Sequence, residues 1–247
     1  MGMKDDITKK VKEIINSNFD VEEVTYVPDI EDAKLTFGNK GLKFKTTVLH
    51  IDMRGSTQIL NAHNKTTVAK IHMSYFHTIV KIANKLGGEV RSFNGDSMLV
   101  FFPGSTKSTL TNAVKAAMQM KYMISDPNSG INEILAKYSA IDFGIGIDYG
   151  EVLCTKIGVA GNPNNKGLFW AGNAVNKSVR LSDLSSNPNH IHISKLVYDN
   201  LLDELKYIEK EIFPGYVQKT DIWTSKIFTY NNEYQSCYYT TYQYTVD

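Results

Sequence analysis

The stretch Val48-Leu49-His50-Ile51-Asp52-Met53-Arg54-Gly55-Ser56-Thr57 decides how the rest of the chain is read. Aliphatic and β-branched residues lead into it, as in a buried strand, and Asp52 stands where the apolar pattern ends. The spacing therefore predicts a strand that delivers a carboxylate to a rim. Gly55 permits a tight turn and Ser56 or Thr57 suits the cap of a following helix, so the backbone from Met53 to Thr57 can form a nest of N–H groups for phosphate. A carboxylate beside an anion nest is what a metal-bound polyphosphate needs. An Asp before a Gly turn is also ordinary turn chemistry, so two further stretches carry the reading.

Residues 87–102 hold two short apolar runs joined by Asn94-Gly95-Asp96, and Asn-Gly is a strong hairpin signal. If this hairpin pairs beside the first strand, Asp52 and Asp96 meet, and two aspartates on neighbouring strands suit Mg²⁺ ions that also bind phosphate. Residues 167–181 read Gly-Leu-Phe-Trp-Ala-Gly-Asn-Ala-Val-Asn-Lys-Ser-Val-Arg-Leu. Asn176 and Arg180 lie four apart, on one face of a helix that Asn173 is placed to cap. An amide and a guanidinium together can grip a sugar and a phosphate.

Around these stretches the periodicity is plain. Val68, Ile71, Tyr75, Ile79, Ile82 and Leu86 recur at three and four residues and predict a long helix ending at Gly87-Gly88. Ala113, Ala116, Ala117, Met120, Met123 and Ile124 predict another. Residues 138–149 read as a strand and 151–157 as its antiparallel return, while residues 160–166, rich in Gly, Asn and Pro, read as a mobile flap. His190 and His192 alternate along a short strand without an acidic third ligand at useful spacing, which argues against a metal pair. The tail from Tyr207 has strong β propensity and is expected to extend the sheet or cover a neighbouring subunit. The order strand, helix, hairpin, helix, strand predicts an α+β, ferredoxin-like core with packed helices on an antiparallel-rich sheet and a C-terminal β-rich extension.

Composition narrows the classes. The chain has 247 residues, of which 42% are hydrophobic, enough for a core without staples. With 27 basic and 26 acidic residues the net charge is +1, which leaves no electrostatic footprint for nucleic acid. Cys154 and Cys237 lack disulfide-framework or zinc spacing and fit a reducing compartment. No window approaches 18 consecutive apolar residues, and the start Met-Gly-Met-Lys-Asp-Asp has no signal-peptide core, so a soluble cytoplasmic protein without membrane attachment is expected.

Together and in this order, the three stretches resemble the class III nucleotidyl cyclase catalytic domain. The resemblance implies Asp52, Ile51 and Asp96 as the residues holding two divalent ions, Mg²⁺ or Mn²⁺. It further implies Met53, Arg54, Gly55, Ser56 and Thr57 at the triphosphate, and Asn176 and Arg180 at the ribose and the pentavalent phosphorus. It implies a head-to-tail homodimer with two composite sites, and a phosphate-binding lysine from the tail, for which Lys219 and Lys226 are candidates. The expected organisation is residues 1–42 as N-terminal helix and connector, 43–204 as the catalytic domain and 205–247 as a β-rich subdomain completing it. The helix carries Ile7, Val11, Ile14 and Ile15 on one face, which is expected to pack on the domain or its partner.

The departures from the family pattern point to the substrate. Where adenylate cyclases of this family have a base-reading Lys three residues before the hairpin Gly, this chain has Ser92, and the partnering acidic position holds Phe169. Phe cannot donate or accept in the plane of a base, and Phe169 with Trp170 adds bulk where a purine would lie. His50, two residues before Asp52, is either a base contact or a satisfied strand histidine. The chain thus looks like the stand-alone pyrimidine cyclases of bacterial anti-phage (Pycsar) defence, with UTP slightly ahead of CTP and a separate cyclic-nucleotide-binding effector reading the product. A purine cyclase with displaced base contacts and a catalytically inactive nucleotide-binding dimer are the competing readings.

Overall fold

The computed structural model describes every residue except 1, 130, 136, 160, 162 and 247, with no side chain described at 132 and 163. The elements in chain order are α1 (Met3–Asn16), β1 (Asp20–Glu23), β2 (Lys40–Arg54), α2 (Ser56–Ala62), α3 (Lys65–Lys85), β3 (Glu89–Asn94), β4 (Ser97–Pro103), α4 (Lys107–Ser125) and α5 (Ile131–Leu135). There follow β5 (Asp142–Gly158), β6 (Lys166–Ala171), α6 (Asn173–Asp183), β7 (Ile191–Ser194), α7 (Lys195–Asn200), β8 (Tyr207–Phe213), β9 (Tyr216–Asp221), β10 (Thr224–Tyr230) and β11 (Glu233–Thr240). The main sheet runs β10-β11-β7-β5-β2-β4-β3, with β1 beside the start of β2 and β6 beside the second half of β5. All its pairings are antiparallel except β1 with β2 and β5 with β7. This is the expected α+β architecture with a mostly antiparallel sheet.

β2 is the centre. It is apolar along most of its length because both faces are covered. Leu49, Ile51 and Met53 point to the larger core, built with Ile71, Tyr75 and Ile79 of α3 and Val114, Ala117 and Met118 of α4. Val48, on the opposite face by the two-residue alternation of a strand, packs with Ala174 and Val175 of α6. α6 lies close because β5 presents glycines beneath it: a Cβ on Gly144 would meet the Ser182 and Ser185 carbonyls, and one on Gly146 would meet the Ser178 carbonyl and the Ser182 amide.

Several sequence expectations change here. Residues 151–157 do not turn back; β5 continues for 17 residues, because β2 offers partners from Arg54↔Asp142 down to Gly41↔Thr155, and Gly150 sits within the ladder opposite Thr46. The antiparallel return is β6. Trp170 is core, not pocket wall: it is buried with centroids 6.1 Å from Phe44 and 4.5 Å from Phe101. The tail divides, with β11 pairing β7 to widen the main sheet while β8 and β9 form a separate two-stranded sheet. α1 buries none of its residues, and Ile7, Val11, Ile14 and Ile15 are exposed within the protomer. Of the predicted flap, residues 160 and 162 lie outside the described residues, and Lys166 already belongs to β6.

Candidate active site

Asp52 reaches the sheet rim two residues before β2 ends, and its strand partner is Ser97, the first residue of β4. The hairpin between β3 and β4 is therefore what places Asp96 beside it. Its central residues are Gly95 and Asp96 between the paired Asn94 and Ser97, with Gly95 at φ 65°, the glycine-first pattern of a type II′ turn. The Ser97 hydroxyl donates to the Asn94 carbonyl at 3.0 Å, and the Met53 amide donates to the Asp96 carbonyl at 3.4 Å. Ile51 lies between Met98 and Ile145 in the rows just inside the rim.

The charge of Asp96 acts on Asp52. Burial raises the pKa of Asp52; the Arg54 guanidinium opposes this, while the charges of Asp96 and Asp183 add to it. Behind them Tyr75 is buried with its hydroxyl lacking a hydrogen-bond partner among the described residues, and burial together with the fields of Asp52 and Asp96 holds its pKa well above the ordinary phenol value. Two mutually repelling carboxylates at a rim fit divalent cations. No group of three or more His, Cys, Asp or Glu side chains that could hold a metal occurs among the described residues, so Asp52 and Asp96 would need backbone or substrate oxygens to complete a coordination shell.

After Arg54 the chain turns through Gly55 at φ 71°, and Gly55 itself is the N-cap of α2, without a side-chain cap bond. Ser56 and Thr57 are thus first-turn residues and not the cap. The first helical bond runs from the Ile59 amide to the Gly55 carbonyl, which leaves the amides of Ser56, Thr57 and Gln58 without intrahelical acceptors. Of the amides expected to face phosphate, those of Ser56 and Thr57 are thus open, with Gln58 next to them, while the Met53 amide is taken by the Asp96 carbonyl. The Arg54 side chain turns away from it: Nη1 donates to Asp52 Oδ2 at 2.5 Å, Nε to the Ser185 carbonyl at 3.2 Å, and Nη2 to the Ser182 carbonyl.

α6 carries the other pair. Its N-cap is Gly172, and Asn173 is instead the first helical residue, its Oδ1 accepting from the Tyr230 hydroxyl at 2.6 Å. Asn176 and Arg180 are both exposed, one turn apart, whereas Val175, Ser178 and Leu181 are buried. Neither Asn176 nor Arg180 makes a side-chain hydrogen bond among the described residues, so both are presented outward and away from the helix's packed face.

The three residues assigned to the base are dispersed within the protomer. Ser92 lies beside the bulge in β3, opposite Leu99 and hence in the row of His50. Phe169 on β6 is exposed and opposes Thr155, in the row of Gly41, so the register sets it nine rows from Ser92 along β2. His50 is buried beneath α6 and bonded through Nδ1 to Ser182 Oγ at 2.7 Å. Because that hydroxyl donates to the Val179 carbonyl, the imidazole Nδ1–H is the donor. In the protomer the Nδ1 of His50 is thus satisfied as in a packed strand histidine, while its Nε2 makes no hydrogen bond among the described residues. Sequence reasoning missed Ser182, Ser185 and Asp183; only the alternation of His50, Asp52 and Arg54 signalled a common face.

Comparison with known proteins places this arrangement. Residues 42–220 match the adenylate and guanylate cyclase catalytic domain. A uridylate cyclase of Xanthomonas perforans is 31% identical over 83% of this chain and 87% of its own length, and one of Burkholderia cepacia is 31% identical over 84% and 88%. Among solved structures, the guanylyl cyclase Cya2 covers 80% of this chain and 92% of its own at TM-score 0.63 and 21% identity. The adenylyl cyclase CyaB of P. aeruginosa covers 81% and 95% at TM-score 0.63 and 21% identity, so fold alone is shared with both. With the domain match spanning most of the chain and the rim carboxylates, N–H nest and outward Asn–Arg pair in place, the chain belongs to the class III nucleotide cyclases, the family of the adenylate and guanylate cyclase catalytic domain.

Proposed function

We propose that this nucleotide cyclase converts a pyrimidine nucleoside triphosphate, UTP ahead of CTP, to its 3′,5′-cyclic monophosphate and pyrophosphate. In the cytoplasm it would serve as the second-messenger synthase of an anti-phage response whose product is read by a separate cyclic-nucleotide-binding effector. The observation that carries the pyrimidine reading is the pair Ser92 and Phe169, which removes purine-reading hydrogen bonds, together with relatives that are uridylate cyclases. In the reaction the ribose 3′-oxygen attacks the α-phosphorus, one P–O bond forms, the bond to the bridging oxygen of pyrophosphate breaks, and the 3′-hydroxyl proton leaves. Asp52 and Asp96, with the Ile51 carbonyl, would hold two Mg²⁺ or Mn²⁺ ions, which supply Lewis-acid activation of the hydroxyl and charge neutralisation of the triphosphate. The backbone from Met53 to Thr57 would hold the terminal phosphates, with the Ser56 and Thr57 amides as donors, since the Met53 amide already donates to the Asp96 carbonyl. Asn176 orients the ribose and Arg180 stabilises the charge gathered on phosphorus; since both face outward, they serve the site of a second protomer in a head-to-tail homodimer.

Purified protein incubated with equal ATP, GTP, CTP and UTP plus Mn²⁺, with products identified by mass spectrometry, tests this directly. Cyclic UMP as the dominant product is expected. Cyclic AMP or cyclic GMP would keep the cyclase and overturn the pyrimidine reading. Asp52→Ala or Asp96→Ala should lower turnover by on the order of 10²-fold or more with the dimer intact on size-exclusion chromatography. Mixing Asp52→Ala with Arg180→Ala protein should restore part of the activity, because each heterodimer contains one whole site; absence of recovery after verified subunit exchange would refute the shared site.

A further inference from the structure

The alternation of β2 puts His50, Asp52 and Arg54 on the face that α6 covers. Two of the three grip the same helical residue: His50 Nδ1 meets Ser182 Oγ at 2.7 Å and Arg54 Nη2 meets the Ser182 carbonyl. Arg54 also takes the Ser185 carbonyl and one oxygen of Asp52. A single guanidinium thus closes a loop from the carboxylate at the rim to the C-terminal end of α6, where the last carbonyls, Ser182's accepting also from the Ser185 amide, and the helix dipole favour a cation. Gly144 makes the loop possible, since a Cβ there would collide with Arg54 Nη2 and with both carbonyls. Asp52 Oδ1 is left out of these bonds.

We propose that Arg54 is a positioning residue that fixes Asp52 and the C-terminal end of α6 as one unit, and so joins the metal carboxylate of one catalytic site to the helix that serves the other. The proposal rests on the shared-site reading for its second half alone. Bound at Oδ2, the guanidinium fixes the carboxylate plane and directs Oδ1 outward, as outer-shell partners do for metal-binding carboxylates. Through Ser182 and Ser185 the same group anchors the turn that follows Arg180. Lysine cannot replace it, because one ammonium lacks the planar fork needed to span a carboxylate and two carbonyls.

Two measurements test it separately. The first is Mn²⁺ binding to the nucleotide-free protein, followed by loss of the free-ion paramagnetic resonance signal, with no turnover required. Arg54→Ala and Arg54→Lys should each weaken Mn²⁺ binding by roughly 10-fold or more; affinity within twofold of the parent in a folded Arg54→Lys protein would overturn the proposal. The second uses the Asp52→Ala and Arg180→Ala heterodimer. Its one whole site takes Asp52 from the Arg180→Ala protomer and α6 from the Asp52→Ala protomer. Arg54→Lys is placed first in one and then in the other. Loss of product formation from both placements, by roughly 10-fold each, is expected. Loss from only the placement beside the working Asp52 would overturn the link to α6, and no loss from either would overturn both halves. A heterodimer inactive before Arg54 is altered would remove the shared-site reading, while the Mn²⁺ titration would still decide the role of Arg54 at Asp52.

Discussion

His192 lies on β7 with Nδ1 at 2.7 Å from Ser185 Oγ and its Nε2 buried without a partner among the described residues. Burial, reinforced by the charge of Lys226, pushes its pKa down to about 4; His50, buried and close to Arg54, is likewise pushed down to about 4. A base whose folded pKa lies below its unfolded value is neutral in both states above pH 6.5. As pH falls from there towards 4, the unfolded chain takes up a proton that the folded chain refuses, so stability is lost across that window. Each histidine contributes on the order of 3 kcal/mol to the loss. Urea unfolding at pH 7.5, 6 and 5 should show this decline, and His192→Gln should flatten it; an equally steep decline in that variant would remove His192 as a cause. Residue roles of this kind were only partly legible in the sequence. Asp52 and Asp96 could be found because strand ends and turns are local signals, whereas the partners of His50 and Arg54 on α6 lie 132 and 128 residues away, beyond any local pattern.

At the level of elements, α3 follows directly from three-and-four spacing, since it buries one stripe against the larger core, whereas α4, found by the same spacing, is buried on most sides from Ala116 to Lys121. β5 is the opposite case. Tyr149-Gly150-Glu151 looks like a turn in isolation, and only the length of β2 shows that it is not, because a long central strand rewards an equally long neighbour. The glycines of β5 instead make room for α6. Gly146→Ala should therefore be costly: its Cβ would meet backbone atoms of Ser178 and Ser182, which cannot rotate aside, and a loss of about 3 kcal/mol is expected in urea unfolding. A variant as stable as the parent would mean that α6 can lift from the sheet without penalty. By contrast, Gly38, Gly87 and Gly95 are open around the missing Cβ, so there only the positive φ constrains the choice.

For the molecule as a whole, the site is distributed. Asp52 and Asp96 sit at one rim of the protomer, while Asn176 and Arg180 face outward from the helix. If two protomers share each site, specific activity should fall as the protein is diluted below the dissociation constant of the dimer, and sedimentation measured over the same range should show the monomer appearing in step; constant activity across that transition would place a complete site within one chain. No helix of the described residues is long and apolar enough to cross a membrane. Among the described residues α1 buries none of its side chains, and the Asn39 amide ties its end to the sheet by donating to the Ile14 carbonyl and to that of Ser17 just beyond it, so removing residues 3–16 should leave the unfolding midpoint of the remaining chain nearly unchanged.

The long ladder between β2 and β5 also has a history in time. β2 pairs with β1 and β4 on one edge, but its other edge waits for a strand that begins at residue 142, after residue 54 has already been made. At about 5–20 residues per second the ribosome needs roughly 4–18 s to cover that distance. Until β4 is made only β1 borders the start of this apolar strand, and from residue 103 to residue 142 the nascent chain carries it half-paired, with Asp52 at its tip. An open strand edge is a template for pairing with another chain, so wider spacing of ribosomes on the message should raise the yield of folded enzyme without any change in the finished fold.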